Sequence, residues 1–176
     1  MEQEGRATLA AMMSFEQWYR QQHPRLVNAL MVVSVDEDVA CEAAAESFAR
    51  AFERWDRVSR MEAPAAWVYR VAINVIRRRM RRSAFERTAL RLHRSEAVEL
   101  PLLAPEVWAA VRSLPVRQRT AIALRYVLDL PQHEVARLMG VAPGTVPATL
   151  AKARARLAVL LADGPDQHQG VPSARP

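Results

Sequence analysis

Apolar residues recur at intervals of three and four along most of this chain, and no stretch alternates convincingly with a period of two. That pattern predicts helices and no sheet. Ser14-Phe15-Glu16-Gln17 has the form of a capping box, a Ser with Gln three residues on, so a helix should start here. Phe15, Trp18, Tyr19, Leu26, Leu30 and Val33 supply its apolar positions, and Pro24 should kink or interrupt it. Ser34-Val35-Asp36-Glu37 repeats the capping signal. The helix it opens should run to about Trp55, with Val39, Ala43, Ala44, Phe48, Ala51, Phe52 and Trp55 as one stripe. A short polar connection, 56–62, follows. Pro64 then suits the first turn of a helix reaching Arg82. Its buried side is Trp67, Val68, Val71, Ala72, Val75, Ile76 and Met80.

Residues 83–104 show no convincing period, and Leu100-Pro101-Leu102-Leu103-Ala104-Pro105 breaks any helix that enters it. They read as a flexible linker. A second helical block follows at about 105–112, 115–128, 131–139 and 143 or 145 to 161. Asp163-Gly164-Pro165 ends it, and the polar tail 163–176 is expected to be disordered. The expected fold is all-α: two small helical domains, 14–82 and 105–162, on either side of the linker 83–104.

Charge changes this picture. The 176 residues carry a net charge of +6, yet residues 1–62 carry 7 basic and 11 acidic groups. Residues 63–100 carry 9 and 3, and residues 101–162 carry 8 and 3. An acidic block followed by two basic ones suggests two partners of opposite sign. The basic part suits phosphates and the acidic part a basic protein surface. Arg70, Asn74, Arg77, Arg78, Arg81 and Arg82 give the helix after Pro64 a basic exposed face.

Residues 131–157 read as a helix-turn-helix. Ala136 is the small residue at the crossing, Gly140 supplies a left-handed turn, and Val135, Leu138, Met139, Val141, Val146 and Leu150 flank it. In such motifs the second helix enters the major groove with its N-terminal half on base edges. Here that half offers Thr145 and Thr149 as its polar side chains, followed by Lys152, Arg154 and Arg156. Pro147 costs little only if Thr145 is the N-cap, so the helix should start late.

Other chemistry is thinly represented. Cys41 is the one cysteine and cannot form an internal disulfide. His23, His93, His133 and His168 are scattered, without partners at metal-ligand spacing. No Gly-rich phosphate loop or nucleophile elbow occurs. No catalytic residue, metal or cofactor is expected. The longest uncharged run, Leu138–Ala151, contains two Pro and two Gly and cannot span a membrane. The opening residues lack the pattern of a signal peptide, so a cytoplasmic location is expected.

The ordered set of segments resembles the extracytoplasmic-function (ECF) group of RNA polymerase sigma factors. FEQWYRQQHPRLVNALM is similar to that family's opening helix, and ACEAAAESFARAFERWDRV to its polymerase-docking segment. PAAWVYRVAINVIRRRMRR resembles the segment that opens and reads the −10 promoter element. LPVRQRTAIALRYVLDLPQHEVARLMGVAPGTVPATLAKARARL resembles the −35-reading domain, with its LP-x-x-x-R, LRY and GTV marks. Ser14-Phe15-Glu16 and RWDRVSRMEAP resemble most the actinobacterial SigE-like branch.

The resemblance implies a sigma factor that binds core RNA polymerase and promoter DNA, with an anti-sigma factor as a further partner. It implies core-polymerase binding by Glu42, Glu46, Phe48 and Arg50. It implies −10 contacts from Arg70, Asn74, Arg77, Arg78, Arg81 and Arg82, and −35 contacts from Thr145, Thr149, Lys152, Arg154 and Arg156. Exposed bases would stack near Trp67 or sit in the Arg57–Ala63 loop. Two departures stand out. Ala43-Ala44-Ala45 replaces the family's Leu-Val-Gln, and Pro147-Ala148-Thr149 replaces Lys-Ser-Arg. A stand-alone helix-turn-helix regulator, or a sigma-like adaptor with weakened −35 recognition, are the alternatives.

Overall fold

The computed structural model describes residues 13–89 and 104–162. The expectations for residues 90–103 and the tail 163–176 lie outside the described residues. Among the described residues there are eight α-helices, one π-helical turn and no strand.

Helix α1 (Phe15–Ser34) opens on the expected capping box. The Gln17 backbone N–H donates to Ser14 Oγ, and the Ser14 N–H to Gln17 Oε1, both at 3.3 Å. Pro24 does not interrupt the helix, which runs through it as one element. Pro24 and Arg20, whose carbonyl the proline leaves without its helical donor, are both exposed. The helix ends on Val35 in the left-handed region, φ 62°. A β-branched residue is rarely found there, and its partly buried side chain packs against the core.

The second capping signal is resolved differently from expectation. Asp36, not Ser34, caps α2 (Glu37–Phe52), accepting from the Val39 N–H at 3.0 Å. Ser34 is still inside α1, where its hydroxyl donates to the Leu30 carbonyl at 2.8 Å. Asp36 places a charged acceptor directly before the helix, which favours it as the cap. α2 stops at Phe52 rather than Trp55, and a single turn, α3 (Trp55–Val58), follows in what looked like a plain connection. The turn lets Trp55 fold back onto Trp18, with ring centroids 4.9 Å apart. Phe52 leaves the expected stripe and is 65% exposed, its ring resting on Phe15.

Helix α4 (Pro64–Ala89) is longer than expected and passes Arg82. Val68, Tyr69, Ala72, Ile73, Val75 and Ile76 are buried against α1 and α2. Fully buried Leu26, Leu30, Val68 and Ile76 are each worth about 1.5–3 kcal/mol relative to exposure.

The second domain comprises α5 (Pro105–Arg112), α6 (Val116–Ile122), the π turn (Ala123–Val127), α7 (Gln132–Met139) and α8 (Thr145–Ala162). The π turn closes with the Leu128 N–H on the Ala123 carbonyl at 3.0 Å. Gly140 ends α7 at φ 66°, as the turn between the two helices requires. Val141 then donates back to the Ala136 carbonyl at 3.1 Å.

The two domains are in contact. α1 packs on α6 and the π turn, and α4 packs on α7, so buried residues of both domains form one continuous core. Two arginines cross the seam. Arg119 on α6 reaches the Val33 carbonyl with Nε and Nη2, each at 3.2 Å. Arg77 on α4 donates from Nη2 to the Met139 carbonyl at 3.1 Å. Each domain thus supplies an arginine to the end of a helix in the other. Those are the carbonyls that a helix leaves without internal partners.

Candidate nucleic-acid interface

On α4 the basic residues leave in three directions. Arg70, Asn74, Arg78, Arg81 and Arg82 are exposed. Arg70, Asn74, Arg78 and Arg82 are spaced four residues apart, with Arg81 one position before the last, so they lie close together along the helix. Arg77 sits beside this stripe but is half-buried at the seam. Burial, then the like charges of Arg117 and Arg81, pull its guanidinium below the ordinary arginine value. Arg79, on the opposite side of the helix, pairs with Glu42 on α2. The sequence pattern had not separated these three roles. Trp67 is half-buried and packs against the core.

On α2, Glu42 is exposed and engaged by Arg79, while Glu46 and Arg50 pair with each other one turn apart. Exposed pairs of this kind hold little energy, about 0–1 kcal/mol, and yield readily to a stronger partner. Phe48 requires a correction. It is 2% exposed, and its ring packs on Trp18, Tyr19 and His23 at centroid distances of 5.6, 4.9 and 5.7 Å. A ring enclosed on those three sides positions α2 and cannot itself meet a partner. Ala43, Ala44 and Ser47 are buried on the same face, and Ala45 is exposed on the other.

In the helix-turn-helix, α8 starts at Thr145, so Pro147 is the third helical residue rather than the second. It still lies among the first N–H positions that a helix leaves unpaired, so the proline is accommodated. Val146, Leu150 and Ala153 are buried, which leaves Thr145, Pro147, Ala148, Ala151, Lys152, Arg154 and Arg156 exposed. The Thr149 hydroxyl donates to the Thr145 carbonyl at 2.8 Å, so its proton is spent within the helix. Arg154 donates to the Tyr126 hydroxyl at 3.3 Å. Tyr126 is 51% exposed, and the Arg125 guanidinium lies 5.8 Å from its ring centre.

Residue-type reasoning passed over Arg119. It is 8% exposed and donates to the Arg112, Leu114 and Val33 carbonyls. Burial lowers its proton affinity relative to a free arginine. Its place in LP-x-x-x-R was the available signal. Among the described residues no cluster of His, Cys, Asp and Glu could hold a metal, and no helix is long and apolar enough to cross a membrane.

Two all-α domains, one with an arginine-lined helix and one with a helix-turn-helix, define a DNA-binding architecture. Residues 18–86 match the family described as Sigma-70 region 2, and residues 105–157 match Sigma-70, region 4. The chain is 30% identical over 154 residues to the ECF RNA polymerase sigma factor SigM of Mycobacterium tuberculosis, covering 84% of this chain and 77% of that protein. Its fold is similar to that of the sigma factor RpoE crystallised with the anti-sigma factor NepR from Bartonella quintana. There the TM-score is 0.71 at 23% identity, over 86% of this chain and 98% of the other. It is also similar to CnrH in complex with the cytosolic domain of CnrY, with TM-score 0.59 and 22% identity over 90% and 96% of the two chains. The chain belongs to the ECF RNA polymerase sigma factors, and it acts as a transcription initiation factor of that family.

Proposed function

We propose that the sigma activity is divided as follows. Residues 14–82 dock on core polymerase and engage the −10 element, 83–104 link the domains, 105–162 address the −35 element, and 163–176 form a tail. Glu42, Glu46 and Arg50 on α2 form the polymerase contact, with Phe48 holding the helix in place. Arg70, Asn74, Arg78, Arg81 and Arg82 meet the −10 strand and its phosphates, joined by Arg77 once it is released from Met139. Lys152, Arg154 and Arg156 meet phosphates around the −35 element, and Thr145 is the polar group nearest its bases. The protein has no catalytic chemistry of its own, works in the cytoplasm, and takes an anti-sigma factor as a partner. The actinobacterial SigE-like branch is the finer placement, supported by Ser14-Phe15-Glu16 and the RWDRVSRMEAP segment.

The observation that carries this division is the exposed row Arg70, Asn74, Arg78, Arg81, Arg82 on a helix whose other side is core. Phosphate neutralisation makes affinity fall with salt in proportion to the contacts made. Replacing Arg78, Arg81 or Arg82 by Ala in the reconstituted holoenzyme should flatten the slope of log affinity against log salt by about one each. Unchanged slopes would remove this face from the DNA interface. A second reading, reduced −35 discrimination, is favoured by the committed Thr149 hydroxyl and by Pro147 and Ala148. Neither Pro nor Ala carries a side-chain donor for a base edge.

A further inference from the structure

The outward face of α8 is made of small residues. Val146, Leu150 and Ala153 are its buried side. At about 100° per residue, Ala148, Ala151 and Ala155 stand opposite them, and all three are exposed. Pro147, also exposed, adjoins this ridge. The cations stand to either side of it, Arg154 on one flank, Lys152 and Arg156 on the other. Arg154 is steadied by its bond to the Tyr126 hydroxyl at 3.3 Å, and a guanidinium has further N–H groups to spend on a phosphate. The Thr149 hydroxyl is committed to the Thr145 carbonyl. A helix in a major groove meets base edges with its outermost ridge and the two DNA backbones with its flanks. On this helix the ridge is apolar and the flanks are charged.

We propose that the second domain selects its DNA element chiefly through thymine methyl groups rather than through hydrogen bonds to base edges. Among the groups that base pairs present in the major groove, the thymine C5-methyl is the apolar one, and alanine is a residue type that packs on it. Contacts that select guanine or adenine need side-chain donors, which Ala148, Ala151 and Ala155 lack. An alanine side chain is one carbon long, so it touches a base only when the helix lies deep in the groove. A ridge of alanines beside a proline permits that approach. Arg154, Lys152 and Arg156 hold it by reaching the phosphates on the two walls. The ligand class is a duplex with T·A pairs at the positions facing Ala148 and Ala151. The helix-turn-helix already makes α8 the DNA-facing helix, and its alanines decide what it selects. This inference rests on the proposed −35 role of residues 105–162.

The test uses holoenzyme reconstituted with the full chain. Promoter-length duplexes are selected from a random pool, and the upstream enriched element is resynthesised with deoxyuridine in place of thymidine. That exchange removes the methyl and leaves every hydrogen-bonding group of the base pair in place. T·A pairs should be enriched in this element. Each deoxyuridine facing Ala148 or Ala151 should weaken binding about fourfold, the worth of one buried carbon group. Ala148→Ser together with Ala151→Ser puts hydroxyls on the ridge at little cost to an exposed helix. The ratio of thymidine to deoxyuridine affinities should then fall toward one. A merely structural defect would weaken both duplexes alike and keep the ratio. An upstream element without T·A pairs, equal binding of the two duplexes by the natural chain, or a ratio untouched by the serine pair would overturn the inference and leave the −35 role standing. Selection that enriches no upstream element would remove the −35 role and the inference together.

Discussion

Replacing Arg119 with Met keeps the bulk of the side chain and deletes its guanidinium, which bonds three backbone carbonyls while 8% exposed. The shortest contact is to the Leu114 carbonyl, at 2.6 Å. The Arg112 and Val33 carbonyls lie at 3.2 Å. Each net hydrogen bond is worth about 0.5–1.5 kcal/mol, more when one partner is charged, and a buried acceptor left alone costs about 1–3 kcal/mol. The apolar replacement recovers part of this, because a buried guanidinium has itself lost its hydration. For three acceptors the expected net loss is about 3–5 kcal/mol, a large share of the roughly 5–15 kcal/mol that holds a domain together. Urea-dependent amide hydrogen exchange of the full chain measures it, read separately for the helices of the first and of the second domain. The second domain should weaken most, since it owns two of the three carbonyls. Arg119→Lys should recover at most about half, because one ammonium cannot span a fork that reaches three directions. A loss below about 1 kcal/mol for Arg119→Met would refute the reading of Arg119 as the organiser of both the second domain and the seam.

Phe48→Ala should cost about 3–5 kcal/mol by opening a cavity between Trp18, Tyr19 and His23. Polymerase binding should then fall only as far as unfolding does, and pull-down by a fully folded variant without binding would contradict that. Pro147→Lys together with Thr149→Arg should strengthen −35-dependent binding by the roughly 1–3 kcal/mol of a good base contact; band-shift titration with matched and scrambled −35 elements checks it, and equal affinities for both would show that base contacts never limit binding. His23 packs on Tyr19 and Phe48, and burial lowers its pKa below 6.5. The unfolded chain therefore takes up the proton first, so the stability held above pH 6.5 is lost as pH falls below it. Melting temperatures of wild type and His23→Phe between pH 7.5 and 5.5 should diverge toward the acid end, and parallel curves would exclude His23 as the source.

Much of this fold is legible in the order of its residues. Helical periodicity, together with caps and prolines, identified α1, α2, α4 and the second-domain helices, because each buries one face and the period records which. Ser14, Pro64 and Gly140 marked ends correctly, since capping and left-handed turns depend on a few adjacent residues. The two sigma-like halves were legible in the order of their motifs. Local rules failed where neighbours in sequence compete or distant elements intervene. Ser34 and Asp36 both had cap chemistry, and Asp36 is the one that caps. Phe48 had the right residue type for a docking surface but the wrong face, because α1 brings Trp18 and Tyr19 over it. Arg77, Arg78 and Arg79 are consecutive and chemically identical, yet they meet the second domain, open solvent and Glu42. Their neighbours in the folded chain make that division. Successive positions on a helix point about 100° apart, and what lies in each direction is decided by chain up to about 60 residues away.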